Sequence, residues 1–435
     1  MKFRSTRQKD ATQGEVSFKE ALLRCLPPDG GLYVPASSID MRQFFLYMDA
    51  GTAYPELVAT AAPALLQGEL NPLSAARAAE SDFAPELRQL DENFSLLFLD
   101  RGPTGVYKDF GVAFLAAIME ELLKDQGKAM IITAARDHAG VSLARAFGGR
   151  QGITSVILYP DGEVHGLNPA SFVPHGGTII PIQVRGCFDD CQALVNGIIR
   201  DASFAERHRV TSANTINVGR LLPQAFYYLY AFIKLKKSLV GDLVFSVPSG
   251  NFGNLIAGLY AWKFGMPVNG FIAAMNANNA LGDYIRGREF VPREVIPTNS
   301  PALDMGCPSN FERLDSFYRE SPSVMRNLVF PESVDDSATL ETMEQVWKRY
   351  GVLLDPAGAV AFAAARRRTP CLEGGAHVVV LCPSHPARNP GLAARITGKA
   401  PEMPPRLMAL RDPFEPIARI DPDLEALEGA IASCC

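Results

Sequence analysis

The sequence predicts an α/β protein: two doubly wound units behind an N-terminal lobe, with a ligand cleft between the units. Three observations predict it. From residue 94 onward, short apolar runs alternate with amphipathic helical stretches, the pattern of parallel strands joined by crossover helices. The runs are continuously apolar, as strands covered on both faces require. A chain of 435 residues with 47% hydrophobic content can also fill two or three domains.

The N-terminal lobe is expected over residues 1–92, where "FKEALLRCL" and "AYPELVATAAPALL" read as helices, "PPDGGLYVP" as a turn, and no run of strong strands occurs. The first unit, expected over 93–225, opens with the strand "FSLLFLD". It continues with "AMIITAA" and the helix "GVSLARAFGG", then "ITSVILYP", then "TIIPIQV" and the helix "CFDDCQALVNGIIRDA". The second unit, over 226–435, has "GDLVFSVP" before "GNLIAGLYAWKFG", then "VNGFIAAMN", and finally "GAHVVVLCP" after the helix "GAVAFAAARRR". The closing "SCC" reads as a frayed, solvent-facing end.

Charge and cysteines narrow the functions. A formal net charge of -5, with acids and bases mixed along the chain, makes no face for a polyanion, so no nucleic-acid partner is expected. No stretch of about 18 or more uncharged apolar residues occurs, and no apolar core follows "MKFRSTRQKD", so a cytoplasmic protein without membrane contact is expected. Eight cysteines without a CxxC pair read as thiols in a reducing compartment. Cys187 and Cys191 are four apart, which places them on one helix face, and no metal is expected there.

Two stretches carry chemistry. "GPTGVYKDFG", residues 102–111, places Lys108 between a tight turn and a helix that is apolar from its start. Such an amine is either a surface charge with a covered stem or a desolvated nucleophile. In "SVPSGNFGN", residues 246–254, a strand ends at Val247, Gly250 and Gly253 follow, and a helix opens near Asn254. Backbone N–H groups and a helix N-terminus then converge as an anion cradle, or the stretch is a bare strand-to-helix turn. The spacing is neither a Walker nor a dinucleotide motif, which favours a phosphate monoester. A phosphate monoester held in one unit and an activated lysine on the other are the two anchor points of pyridoxal 5′-phosphate. Arg220, after a polar turn, is either a fork for phosphate or carboxylate or a surface arginine behind cap residues.

These stretches, with "VTSANTINVGRLLPQ", "SHPAR" and "FKEALLRCLPPDGGLYVP", resemble the threonine synthase family, pyridoxal-phosphate enzymes of fold type II, the tryptophan-synthase β-subunit type. The likeness runs in the family's order over nearly the whole chain. It implies that Lys108 is the Schiff-base lysine and that Ser249, Gly250, Asn251, Phe252, Gly253 and Asn254 hold the cofactor phosphate. It also implies that Ser212, Asn214, Asn217 and Arg220 help form the substrate site. The implied reaction is a lyase-type replacement, O-phospho-L-homoserine and water to L-threonine and phosphate, in which Lys108 moves the α and β protons. An amine doing this near neutral pH must titrate below the reference of about 10.4. The implied partner is a small amino-acid substrate, bound by a monomer or homodimer.

The chain departs from the family at the substrate. A "TSGDTG"-like loop is replaced by "AARDHAG", residues 134–140, which brings Arg136, Asp137 and His138. These either meet the substrate, by a salt bridge to its carboxylate and a proton from His138, or leave Arg136 and Asp137 paired on the surface. The family's "TAHPAKF", whose threonine meets the pyridine nitrogen, reads "PSHPARN"; Pro383 cannot donate, so Ser384 is left. Ala357 in "DPAGAV" stands where a histidine is common, and "DGEVHGLNPASF" leaves His165 and Asn168 unassigned. Kept cofactor anchors with altered substrate contacts suit the family reaction, a related enzyme for another β- or γ-substituted amino acid, or a catalytically silent binding protein.

Overall fold

The computed structural model describes residues 1–8, 14–66, 68–79, 83–124, 127–135, 139–161, 179–372, 375–408 and 416–434. Its strands in chain order are β1 (Phe3–Ser5), β2 (Tyr33–Pro35), β3 (Glu86–Gln89), β4 (Phe94–Phe98), β5 (Ala129–Ala134), β6 (Ile153–Pro160), β7 (Ile179–Val184), β8 (Val210–Thr211), β9 (Asp242–Pro248), β10 (Gly270–Met275), β11 (Val329–Ser333), β12 (Ala376–Cys382) and β13 (Ala418–Ile420). A six-stranded sheet runs β11-β10-β9-β12-β4-β3, parallel except for its antiparallel β3 edge. A five-stranded, all-parallel sheet runs β13-β7-β6-β5-β8. β1 and β2 pair antiparallel by themselves.

The apolar runs are continuous because both faces of each sheet are covered. In the large sheet, Leu97, Phe245, Phe271 and Val379 face a cluster shared with the helices Lys108–Leu123, Ala225–Leu235 and Gly253–Lys263. Leu96, Val244, Ile272 and Val378 face the opposite layer, packed by the helices Asp336–Tyr350 and Pro356–Arg368. Ile131 and Ile157 of the small sheet join the first cluster, while Ile132, Val156 and Ile182 pack under the helix Phe188–Arg200. Each such side chain contributes about 1.5–3 kcal/mol by leaving water. The helix carrying Lys108 at its start is therefore clamped in the layer common to both sheets.

Three expected boundaries move. The unit expected over 93–225 loses its first strand, because β4 pairs with β12 in the same sheet as β9. Lys108 and the glycine loop thus extend from one sheet, not from opposite units. The N-terminal lobe expected over 1–92 is continuous with the rest: β3 forms the edge of the large sheet, and Phe3, Phe18 and Leu57 belong to the same cluster as the Lys108 helix. The C-terminal stretch expected to belong to the unit over 226–435 instead crosses back to the small sheet, where β13 pairs with β7 and the helix Leu424–Cys434 buries Leu427 and Ile431. Among the described residues no helix is long and apolar enough to cross a membrane, and no cluster of His, Cys, Asp or Glu forms a metal site. Cys187 is exposed at the N-cap of the helix Phe188–Arg200, whereas Cys191 is buried within it.

Leu427 is fully buried against the small sheet. Leu427→Ala is expected to lower the unfolding free energy by about 2–5 kcal/mol, measured by urea denaturation.

Candidate active site

β9, β12 and β4 are successive parallel neighbours, so their carboxyl ends share one edge of the sheet. β10 and β11 continue from β9 on one side while β12 returns on the other. The crevice at such a reversal is where open α/β sheets bind ligands. Three loops meet there: 249–252 after β9, 383–385 after β12, and 99–107 after β4. Two strand spacings, about 10 Å, separate the outer pair.

The loop leading to Lys108 is fastened to the loop after β12. Leu99 N–H donates to the Cys382 carbonyl at 3.0 Å, Tyr107 N–H to the Pro383 carbonyl at 2.8 Å, and His385 N–H to the Gly105 carbonyl at 2.9 Å. Val106 and Ser384 form a β-bridge within this seam. From the far side, Arg406 donates to the carbonyls of Gly102 (3.1 Å) and Asp100 (3.2 Å), and Arg388 to that of Thr104. Lys108 is half-buried at the first residue of its helix. Beside it, Asp109 is buried and accepts from Thr104 N–H (2.9 Å), Thr104 Oγ1 (2.6 Å) and Ser142 Oγ (2.6 Å). Burial raises its carboxyl above the usual range, against the pull of those donors.

The glycine loop is built as tightly. Ser249 N–H donates to the Ala274 carbonyl (2.7 Å) and its hydroxyl to the Val247 carbonyl (2.8 Å). A Cβ on Gly250 would lie 2.7 Å from Leu303 Cα, so only glycine fits. Phe252 adopts left-handed backbone, φ 61°, and stands at the N-cap of the helix Gly253–Lys263 without any side-chain cap. Asn251 closes the outer side: its Oδ1 accepts from Ser309 N–H (2.6 Å) and its Nδ2 donates to Ser309 Oγ (2.9 Å). Asn254 Oδ1 accepts from the hydroxyls of Tyr227 (2.6 Å) and Tyr228 (2.8 Å).

The segment expected at the substrate follows β8. Ala213 N–H donates to Thr133 Oγ1 of β5 at 3.1 Å, which sets this segment beside the strand leading into 136–138. Arg136, Asp137 and His138 lie outside the described residues, as do His165 and Asn168. Ser212 is fully buried and its hydroxyl accepts from Asn214 N–H at 3.2 Å; Asn214 is half-buried. Asn217 is engaged at both ends of its amide. Its Nδ2 is within bonding distance of the Leu22 carbonyl (2.9 Å), the Ser212 carbonyl (2.9 Å) and Thr211 Oγ1 (3.2 Å), and its Oδ1 accepts from Gly219 N–H (2.8 Å). Both ends are thus engaged in capping the helix Val218–Leu221 and tying the segment to the N-terminal helix Phe18–Arg24. Arg220 is not a surface residue: it is 3% exposed, donates to the Ala213 carbonyl, and is pushed down by burial to about 10, opposed by nearby Tyr107 and Asp109.

Several residues beside these loops were not singled out from the sequence, although Gln224 closes the stretch "VTSANTINVGRLLPQ" and Asp355 opens "DPAGAV". Tyr227 bonds to Gln224 and Asn254, Tyr228 bonds to Asn254, and Asp355 sits under Ser384. The Asp355 carboxylate accepts from Ala357 N–H (3.1 Å), Gly358 N–H (3.2 Å) and the backbone N–H of Ser384. Burial pushes its carboxyl up to about 7, helped by Asp100. On the other side of Ser384, His385 Nδ1 accepts from Ala387 N–H (3.1 Å), and burial, then Arg406 and Arg101, push its imidazole down to about 4.

The donor inventory tests whether a phosphorylated cofactor fits. Among the described residues, Arg220 Nε, Gln224 Nε2 and Asn254 Nδ2 are buried without a partner, and all of them are donors. Gln224 Nε2 lies 3.2 Å from where a Cβ on Gly111 would sit, one helical turn from Lys108, and Tyr227 links the Gln224 and Asn254 amides. A surplus of buried donors next to a buried, uncapped helix N-terminus is complementary to an acceptor-rich anion. The residues present therefore fit pyridoxal phosphate, with Lys108 at one end and 249–254 at the other.

Two outcomes follow from this packing. A Cβ on Gly111 would lie 2.4 Å from the Arg220 carbonyl oxygen, so Gly111→Ala is expected to cost about 1–3 kcal/mol of stability and to weaken cofactor retention, measured by urea denaturation and equilibrium dialysis. The second concerns pH. Asp355 is raised from 3.8 to about 7, so its contribution is present at low pH and is lost as pH rises through 7. His385 is lowered from 6.5 to about 4, so its contribution is present above 6.5 and is lost as pH falls toward 4. The two oppose each other between these limits. Asp355→Asn removes only the first, so its unfolding free energy is expected to rise from pH 4 to 7 more steeply than that of the wild type, by up to a few kcal/mol. An unchanged slope in urea titrations would refute this.

Comparison with known proteins agrees with the geometry. A family described as "Pyridoxal-phosphate dependent enzyme" matches residues 83–384, and one described as "Threonine synthase N terminus" matches residues 2–71. Threonine synthase of Haemophilus influenzae is 33% identical over 386 residues, covering 88% of this chain and 89% of that protein. The crystal structure of threonine synthase from Escherichia coli superposes with a TM-score of 0.89 at 30% identity, covering 100% of both chains. That of PLP-bound threonine synthase from Brucella melitensis gives 0.86 at 28% identity, covering 100% of this chain and 99% of that one. The chain belongs to the threonine synthase family of pyridoxal-phosphate-dependent enzymes.

Proposed function

We propose that this protein is a threonine synthase, a carbon–oxygen lyase of amino-acid biosynthesis that converts O-phospho-L-homoserine and water to L-threonine and phosphate. One observation carries the reading: Lys108 and the uncapped loop 249–254 stand at the carboxyl ends of strands with one neighbour between them, with unpartnered buried donors in the same crevice. When bound, pyridoxal phosphate supplies an aldehyde for the amine and a ring that withdraws electrons from the adjoining substrate carbons.

In this reading the Lys108 amine holds the cofactor and moves protons at the substrate's α and β carbons, while phosphate departs from the γ carbon and water adds at the β carbon. Ser249, Gly250, Asn251, Phe252, Gly253 and Asn254 bind the phosphate ester through amide donors and the helix N-terminus. Ser384, held between Val106 and Asp355, is the hydroxyl that would face the ring nitrogen in place of the donor Pro383 lacks. A hydroxyl there, rather than a carboxylate, would favour elimination over transamination. Arg220, Ser212 and Asn214 hold the substrate, with Asn217 shaping their segment. Arg136, Asp137 and His138, read from the sequence alone, are the residues that would offer a salt bridge to the substrate carboxylate. Eight cysteines without a CxxC pair support a reducing, cytoplasmic setting, in which we read the enzyme as a monomer or homodimer.

A second reading, a related enzyme for another β- or γ-substituted amino acid, is favoured by "AARDHAG" alone. Purified protein supplied with O-phospho-L-homoserine is expected to release phosphate and threonine in equal amounts. Lys108→Ala is expected to slow both by about a thousandfold or more and to lose the visible absorbance of lysine-bound cofactor. Absence of phosphate release, with turnover of an acetylated or succinylated analogue, would establish the second reading instead.

A further inference from the structure

The loop 249–254 contains no lysine or arginine, although the ester it is read to hold is an anion. Directly behind it lies Arg313, 0% exposed, on the helix Phe311–Glu320. Its guanidinium donates to the carbonyls of Tyr33 (3.2 Å), Thr215 and Ile216 and to Asn310 Oδ1 (2.8 Å). Among the described residues no carboxylate pairs with it; the adjacent Glu312 pairs with Arg7 and accepts from Thr6. A buried cation without a counter-ion is costly, and structures keep one where something repeatedly balances it.

Arg313 reaches the cradle through one side chain. Asn310, with its Oδ1 engaged by Arg313, turns its Nδ2 toward the Asn251 carbonyl (3.0 Å) and Thr215 Oγ1 (3.0 Å). A Cβ on Gly253 would lie 3.3 Å from Asn310 Nδ2 and 3.4 Å from Thr215 Cγ2. Asn310 and Thr215 therefore sit directly beneath the first residue of the uncapped helix. The same guanidinium holds the carbonyls of the substrate segment at Thr215 and Ile216, so one buried cation braces both halves of the site.

We propose that Arg313, acting through Asn310 and Thr215, is a positioning residue for the cofactor's phosphate ester, fixing the cradle and the substrate segment in one frame and supplying the positive charge the cradle lacks. The proposal rests on the reading of 249–254 as the phosphate loop. It predicts a defect specific to the phosphate, which a general packing role would not give.

The test compares binding of pyridoxal phosphate and of pyridoxal, which has the aldehyde and ring without the ester, to cofactor-stripped protein by equilibrium dialysis. Asn310→Ala is expected to weaken pyridoxal phosphate about tenfold while leaving pyridoxal within about twofold. Arg313→Met is expected to weaken pyridoxal phosphate by at least as much, and Arg313→Lys, which keeps the charge, to recover part of the loss. If Arg313→Met does not fold, Asn310→Ala and Arg313→Lys decide. Equal weakening of both ligands, or no weakening of pyridoxal phosphate, overturns the proposal. If the wild type itself binds the two ligands equally, the phosphate reading of the loop fails first and takes the proposal with it.

Discussion

The seam between the lysine loop and the loop after β12 is the constraint on which the rest depends. It continues the β4–β12 pairing past the end of the sheet, by the bonds Leu99 to Cys382, Tyr107 to Pro383 and His385 to Gly105. Lys108 therefore does not sit on a free loop; its backbone inherits the register of the central strands. Ser384 lies in the same seam, so the amine and the hydroxyl read for the ring nitrogen move together or not at all. Gly111 serves the same end one turn later, where the helix meets the Arg220 carbonyl too closely for any side chain.

Around this seam the charges are buried in an uneven pattern. Asp109 and Asp355 are raised by desolvation, whereas Arg220 and His385 are lowered by it. Each is held by backbone groups or hydroxyls more than by a full counter-charge. A site arranged in this way is polarised before any ligand arrives, and the environment is pre-oriented at the cost of folding stability. Electrostatic preorganisation of this kind is the larger part of what a protein adds to cofactor chemistry.

The sheet strands and the two anchor loops were legible because their signals are local. Runs such as "HVVVLC" and "MIITA" are apolar on both faces, and a lysine or glycine cluster directly after such a run marks the carboxyl edge. What remained illegible depends on pairing over long separations. β8 has two residues, β11 contains Pro331 and is mostly half-buried, and β13 is "ARI"; each is a strand only because a neighbour makes it one. β4 looked like the opening of the first unit because sequence order does not reveal which sheet a strand joins. Asn217 matched a functional motif but its amide is engaged in a cap. Arg313 did leave a trace, being four residues before Phe317 on the apolar side of its helix, where a cation is out of place.

The return of the chain to the small sheet has a consequence for biosynthesis. The large sheet is complete once β12 has been made, but the small one gains its edge, β13, and the covering helix Leu424–Cys434 only from residues that follow β12 in the chain. During translation those residues emerge after the other four small-sheet strands. Until then the flank of β7 stays open, with Ile182 and Val184 beside it, and a nascent chain stalled before β13 would present a sticky ladder to its neighbours. Synthesis of β13 and its helix is in this sense also the step that seals the small sheet.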